Sequence, residues 1–434
     1  MSARFTTTPG GFPLVHESNF SLPLVDFAII WRAGSLGDAA GAEGGARLLA
    51  RLLRRGTRAL KADAVDERIA LLGGRMSVSA SREALRVQCT VLERNLEPFL
   101  ELVASLVVEP ALRDADFRRA KRRIVAEIED AEDDDSTIAS NHLRNHLFGE
   151  HPYGRAIGGT KASLRRITRS SLVEAHQKKL VRSQLLFAVA GATKTKTFSA
   201  LIDRYFGGLP KGRSSGFRVP ATKAVAGRRV RIIHRPGRSQ TQLAIACLSA
   251  KRSDPQLAEL VLGDCVFGGL YSSRLMQAVR GDKGWSYGAY TSLRVSAQRD
   301  AWSLWTHPAA ENAAACAALE LDLIDQYLDE GPSAAEVRLA KSYLIGSRCL
   351  EEDTAAKRVE LALDAVFVGR DPNFPRGFPK RVRAVKRANI TDVIRRRFSA
   401  DALSIIAVGD AEVLRPQFEA LPGVSEVDVA RIRL

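Results

Sequence analysis

The sequence carries a long internal repeat, and that repeat limits the folds open to it. Ala120-Lys121 in FRRAKRRIVAEIED is matched by Ala340-Lys341 in VRLAKSYLIGSRCL, an offset of 220 (340 − 120). Pro152 in FGEHPYG and Pro372 in VGRDPNF keep the same offset. Ile167-Thr168 and Ile390-Thr391 open helical segments, RSSLVEAHQKKL and DVIRRRFSADAL. Each of these leads into an apolar run ending in glycine, LLFAVAG to Gly191 and LSIIAVG to Gly409. Near the start of each copy a glycine pair precedes a helix: Gly44-Gly45 before ARLLARLL, and Gly268-Gly269 before LYSSRLMQAV. Copies of this length are each of domain size, so two units sharing one architecture are expected.

The expected halves are residues 1–211 and 230–434. The stretch 212–229, GRSSGFRVPATKAVAGRR, is Gly/Ser/basic with no apolar period and reads as a linker. In the first half VDFAIIWRAG reads as a strand and GGARLLARLLRRG as a helix. GRMSVSASREALRVQCTV alternates as a hairpin, and ERNLEPFLELVASLVV has a helical period. Helices gather between runs of strands. The pattern predicts an α+β fold in which each half is a largely antiparallel sheet with helices packed on it.

Composition narrows the function classes. The formal net charge is +16, with basic clusters at 118–123, 380–387 and 395–397. Nucleic-acid binding would use such charge, but no aromatic residues interleave with it to stack bases. Solvated helix faces, or a surface for an acidic partner or peptide, fit better. No apolar run approaches the ~20 residues a membrane span needs, and no signal peptide is visible. A cytoplasmic location is expected, with the periplasm as the alternative if a leader has been removed. The five cysteines (89, 247, 265, 316 and 349) are scattered among apolar neighbours, as reduced core thiols would be. His142 and His146 lie i, i+4 on one helix with Glu150 a turn beyond, a spacing a metal could use. Such pairs are more often surface residues.

WRAGS (31–35), GGARLLARLLRRGT (44–57), VAEIED (125–130), HPYGRAIGGTKASLRRIT (151–168), SQTQLAIA (239–246) and FGGLYSSRLMQAVRGDKGWSYGAY (267–290) together resemble the pitrilysin-like, or M16, metallopeptidase family of inverted zincins. The resemblance covers nearly the whole chain and implies half of a clam-shell chamber. Family enzymes carry His-x-x-Glu-His on one helix: two histidines bind zinc, the Glu is general base, and a distal Glu completes the ligands. The matching positions here are Arg47, Ala50 and Arg51, with Glu127 as the distal carboxylate. Arginine offers zinc no lone pair and alanine takes no proton, so no zinc site is expected in this chain. Glu127 opens a run in which seven of the nine residues 127–135 are acidic. A solvated helix end is the simpler account of that run, and an ion pair with Arg47 or Arg51 the alternative.

On spacing alone, Arg280 in a last helical turn and Tyr287 in a following strand read as a dipole partner and a packing residue. The resemblance implies more, because family members keep an Arg/Tyr pair seven apart in the second half to serve a zinc site. It therefore implies a non-catalytic subunit of a two-subunit zinc metalloendopeptidase, inactive alone. Arg280 and Tyr287 would act in trans on unfolded peptides bound at a homologous, zinc-bearing partner. A proteolytically silent scaffold subunit of the same fold is the alternative. The Asn-Ala-x-Thr that catalytic relatives show near residues 77–80 is missing, which leaves peptide docking along that hairpin without its usual side chains.

Overall fold

The computed structural model describes residues 3–212 and 218–431, which build two six-stranded mixed sheets. The first contains β1 (Arg4–Thr7), β2 (Pro13–Ser18), β3 (Leu24–Trp31), β4 (Arg75–Ala80), β5 (Leu85–Leu92) and β6 (Leu185–Gly191). Its order is β1-β2-β6-β3-β5-β4. The second contains β7 (Arg228–His234), β8 (Gln242–Leu248), β9 (Ala289–Leu293), β10 (Ala301–Thr306), β11 (Ser404–Gly409) and β12 (Val424–Ala430). Its order is β12-β7-β11-β8-β10-β9. Five strands of each sheet correspond in order and direction, with a parallel β2–β6 or β7–β11 pair beside three antiparallel ones. Only the outermost strand differs: β1 is antiparallel to β2, whereas β12 is parallel to β7.

The repeat extends to side chains. Lys121 Nζ donates to the carbonyls of Arg165 and Ile167 at 3.2 and 3.0 Å. Its counterpart Lys341 donates to those of Arg383 and Val385 at 2.9 and 2.6 Å. In both halves the lysine ties one helix to the end of another.

The apolar runs LLFAVAG and LSIIAVG become β6 and β11, whose side chains are buried on both faces. A strand without a solvated face needs cover on two sides. One cover comes from elsewhere in the chain. The Ala355–Phe367 helix lies on β6 and β2, placing Ala355, Val359, Ala362 and Leu363 against Val15, Ile30, Leu186, Ala188 and Ala190. Reciprocally, the Asp135–Phe148 helix lies on β11 and β8. One compact unit therefore comprises Met1–Ile128, Ala156–Arg218 and Arg348–Gly377, and the other Glu129–Arg155, Val219–Ser347 and Phe378–Leu434. These units depart from the contiguous halves 1–211 and 230–434, because each sheet takes one helix from the other copy.

Two further expectations change. Of the linker 212–229, residues 213–217 lie outside the described residues, while Arg228 and Arg229 already belong to β7. Before them the Val219 carbonyl accepts from Gln298 Nε2 at 3.2 Å and Thr222 Oγ1 donates to the Arg299 carbonyl at 3.1 Å, so that stretch is pinned. All five cysteines are free thiols, and four are core residues, but Cys349 is exposed near the start of a four-residue helix, Arg348–Glu351.

Ion pairs fix the exchanged helix on the first sheet. Arg358 grips the buried Glu17 of β2 with two bonds, Nη2–Oε1 at 2.6 Å and Nε–Oε2 at 3.1 Å. The Glu17 side chain is 3% exposed, so removing its partner strands a charge in the core. Arg358→Ala is expected to destabilise the protein by about 3 kcal/mol. Urea unfolding should show it, and a double Arg358→Leu/Glu17→Leu variant should recover most of the loss.

Candidate functional site

The helix that carries Arg47, Ala50 and Arg51 is Gly45–Leu53. Gly44, at φ +102°, turns the chain into it where an added Cβ would sit 2.6 Å from the Gly158 carbonyl. Asp38 caps the helix, accepting from Gly44 N and Ala46 N at 3.0 Å. Burial raises the Asp38 carboxyl to about 6, against the pull of Lys179 and those backbone donors. Nothing in the local spacing marked Asp38, since the cap reaches back across a loop. Ala46, Leu48, Leu49, Ala50, Leu52 and Leu53 are buried. Arg47 and Arg51, one turn apart, keep partly exposed side chains.

Glu127, near the end of the Asp114–Asp130 helix, lies opposite them. Its Oε2 accepts from Arg47 Nη2 at 2.7 Å and from Arg51 Nη2, and Arg123 Nε stands 3.6 Å from Oε1. Burial would raise this carboxyl, but the Arg51 hydrogen bond and the charges of Arg51, Arg47 and Arg123 outweigh it and hold it below the ordinary range. Gly158 gives Arg47 its room, because a Cβ there would lie 2.4 Å from Nη1. The three positions expected from the resemblance, Arg47, Arg51 and Glu127, converge, but two guanidiniums meet the carboxylate where a metal would need donors. These residues do not fit zinc. Among the described residues no group of three or more His, Cys, Asp or Glu converges as a metal site elsewhere.

The acidic run 127–135 is more than a solvated helix end. Besides Glu127, Asp134 caps the Asp135–Phe148 helix by accepting from Ser136 N at 2.9 Å. Asp135 forms ion pairs with Arg235 and Arg238 at 3.1 and 3.0 Å. His142 and His146 do share that helix, but the charges bearing on their rings come mainly from Arg231 and Arg229, which repel a metal dication. Glu150 lies exposed beyond the turn at Gly149 and does not join them.

In the second half Ser273 caps the segment after Gly268-Gly269, accepting from Met276 N, and Gln277–Asp282 form a π-helical turn carrying Arg280. Such turns are rare and gather at functional sites. Tyr287 is not in a strand, as its spacing had implied. It stands two residues ahead of β9 and is 86% exposed. The loop beneath it is fixed by Ser286, which donates to the Gly288 carbonyl at 2.7 Å and accepts from His307 N at 2.9 Å. The Arg280 guanidinium lies 4.5 Å from the Tyr287 ring centre and 4.8 Å from that of Tyr271, itself 68% exposed. Sequence reasoning missed Tyr271, which sits nine residues before Arg280 and shares no helical period with it. Two exposed rings on one cation hold the guanidinium by cation–π attraction and leave both phenols free to meet a ligand.

Residues 15–161 match the profile described as insulinase (peptidase family M16), and 166–344 match the peptidase M16 inactive domain. The chain belongs to the M16 family. It is 26% identical over 437 residues to a protein named an uncharacterized zinc protease of Mycobacterium tuberculosis, covering 98% of this chain and 97% of that one. It is also 21% identical over 398 residues to a protein named a non-peptidase homolog of Helicobacter pylori, covering 92% of each. Among solved structures, the M16 inactive domain from Pseudomonas fluorescens superposes with a TM-score of 0.88 at 24% identity, covering 94% of this chain and 98% of that one. A Helicobacter pylori protease gives 0.84 at 17% identity, covering 94% and 100%. Relatives carry both kinds of name, so the names alone assign this chain no activity.

Two measurements follow. The purified chain should hold no stoichiometric zinc by elemental analysis. The triple variant Arg47→His/Ala50→Glu/Arg51→His should gain about one equivalent, because Glu127 already faces that helix turn. Burial, then Arg229 and Arg231, lowers His146 to about 4 from 6.5. The unfolded chain therefore takes up this proton first. Stability should be full above pH 6.5 and fall between 6.5 and 4, by about 1.4 kcal/mol per pH unit for this one group. His146→Gln should flatten that part of the profile in pH-dependent unfolding.

Proposed function

We propose that this chain is the non-catalytic subunit of a heterodimeric zinc metalloendopeptidase. In this reading it supplies half of a peptide chamber and presents Arg280 and Tyr287 to a homologous subunit that holds the zinc. One contrast carries the proposal: Arg47, Ala50 and Arg51 stand where ligands and base would be, while a half-buried Arg280 and an exposed Tyr287 remain together. A tyrosine ring held in solvent on a fixed loop beside that guanidinium is not accounted for by core packing. In the partner, the metal would activate water for attack on the peptide. Here the Tyr287 hydroxyl would donate to the oxyanion that develops, and Arg280 would hold a peptide carbonyl. A phenol that bonds more strongly in the transition state lowers the barrier without tightening substrate binding.

The test is to mix this chain with a homologue carrying His-x-x-Glu-His from the same source. The pair should co-elute and cut unfolded peptides that neither cuts well alone. In the complex Tyr287→Phe should lower kcat by about 10²-fold with assembly unchanged, and Arg280→Ala should raise KM more. Absence of both complex and activity would leave the scaffold role. Wild-type kinetics in assembled mutants would make the chain only a wall of the chamber.

A further inference from the structure

The replaced zinc helix is a charge imbalance as well as a lost site. Arg47, Arg51 and Arg123 gather about Glu127, and among the described residues it is the one carboxylate that pairs with them. Three positive charges against one negative leave a surplus of two. Each guanidinium has five N–H donors. Glu127 takes one from Arg47 and one from Arg51, and Arg123 stands too far for a full hydrogen bond. The donors left over are reachable, since the three arginine side chains are 37%, 29% and 77% exposed. Arg47 and Arg51 are also held in place: they leave one helix turn side by side, share Glu127 Oε2, and Arg47 rests against Gly158. Held, forked donors with surplus charge are the usual recognition device for a carboxylate.

We propose that this cluster is an anion site that binds a carboxylate of an acidic peptide. The neighbouring structure favours a peptide. The Gly45–Leu53 helix packs against β4, and β4 ends its sheet, so its outer edge offers free backbone groups to an extended chain. Serine and alanine fill much of that strand, RMSVSA, and none of its side chains is aromatic, so it offers a nucleic acid nothing to stack on. Peptide specificity at this edge then comes from the neighbouring charge, since the strand's own exposed Ser77 and Ser79 hydroxyls are uncharged. Glu127 sets the strength of the site, since it stays ionised and offsets part of the positive charge. The inference concerns this chain alone and stands apart from the proposed zinc-bearing partner.

The experiment uses the single full-length chain and three labelled, unstructured peptides followed by fluorescence anisotropy. One is glutamate-rich with an amidated C-terminus; the second is its glutamine counterpart, also amidated; the third is the glutamine peptide with a free C-terminus. The glutamate peptide is expected to bind about 10-fold or more tightly than the amidated glutamine peptide. Tight binding of the third peptide instead would assign the site to a terminal carboxylate, within the same proposal. Arg47→Ala/Arg51→Ala should lose about 10-fold, and millimolar inorganic phosphate should compete. Glu127→Gln should tighten binding several-fold, an outcome that misfolding cannot imitate. Arg118→Ala/Arg122→Ala removes two charges from another face of the Asp114–Asp130 helix and should change little. Equal binding of all three peptides would overturn the site. So would an unchanged affinity in Glu127→Gln, or an equal loss in the Arg118/Arg122 control, which would mark diffuse attraction to the +16 chain.

Discussion

The central strands β6 and β11 are buried on both faces, and much of the architecture follows from that. A sheet with one wet face can be finished by helices from its own half. Here each half supplies helices for one face and leaves the other to a helix from the second copy, Ala355–Phe367 for one sheet and Asp135–Phe148 for the other. Burying the small residues of that layer (Ala188, Ala190, Ala355, Ala362) contributes less per side chain than burying leucine would. Directional pairs, Glu17 with Arg358 and Asp135 with Arg235 and Arg238, fix the helices in register.

That exchange also explains the acidic run at 127–135. The chain leaves one unit after Ile128 and enters the other at Glu129. On one side of this crossing Glu127 pairs with Arg47 and Arg51 of the Gly45–Leu53 helix; on the other Asp134 and Asp135 start and anchor the exchanged helix. A stretch that reads as a solvated helix end in one dimension carries three separate tasks in the fold. Two helices, Gly45–Leu53 and Asp114–Asp130, thus meet through charged side chains. Glu127 there accepts from two guanidiniums.

The second-half site shows a different economy of order. Arg280 sits in a π-helical turn, where the extra residue moves a side chain out of helical register. The loop after it is tied down by Ser286, whose hydroxyl both donates and accepts, so Tyr287 is held from beneath while its ring stays in water. Tyr271 lies against the same guanidinium. A cation in contact with two rings has fewer orientations open to it than a lysine on a helix surface would.

Much of this was legible in the sequence. The 220-residue offset announced two units of one architecture, and the apolar runs before Gly191 and Gly409 marked strands without a wet face. That Arg47 and Arg51 offer a metal no lone pair and Ala50 takes no proton also belongs to residue type alone. What the sequence did not contain was which segment covers which face. An amphipathic helix states that it must be buried but not against what, so Ala355–Phe367 read as part of its own half. The Arg47–Glu127–Arg51 pairing, the Asp38 cap and the second ring on Arg280 were likewise decided only in three dimensions. Each joins residues whose spacing follows no helical or strand period, and contacts of that kind are set by packing of whole elements rather than by local pattern.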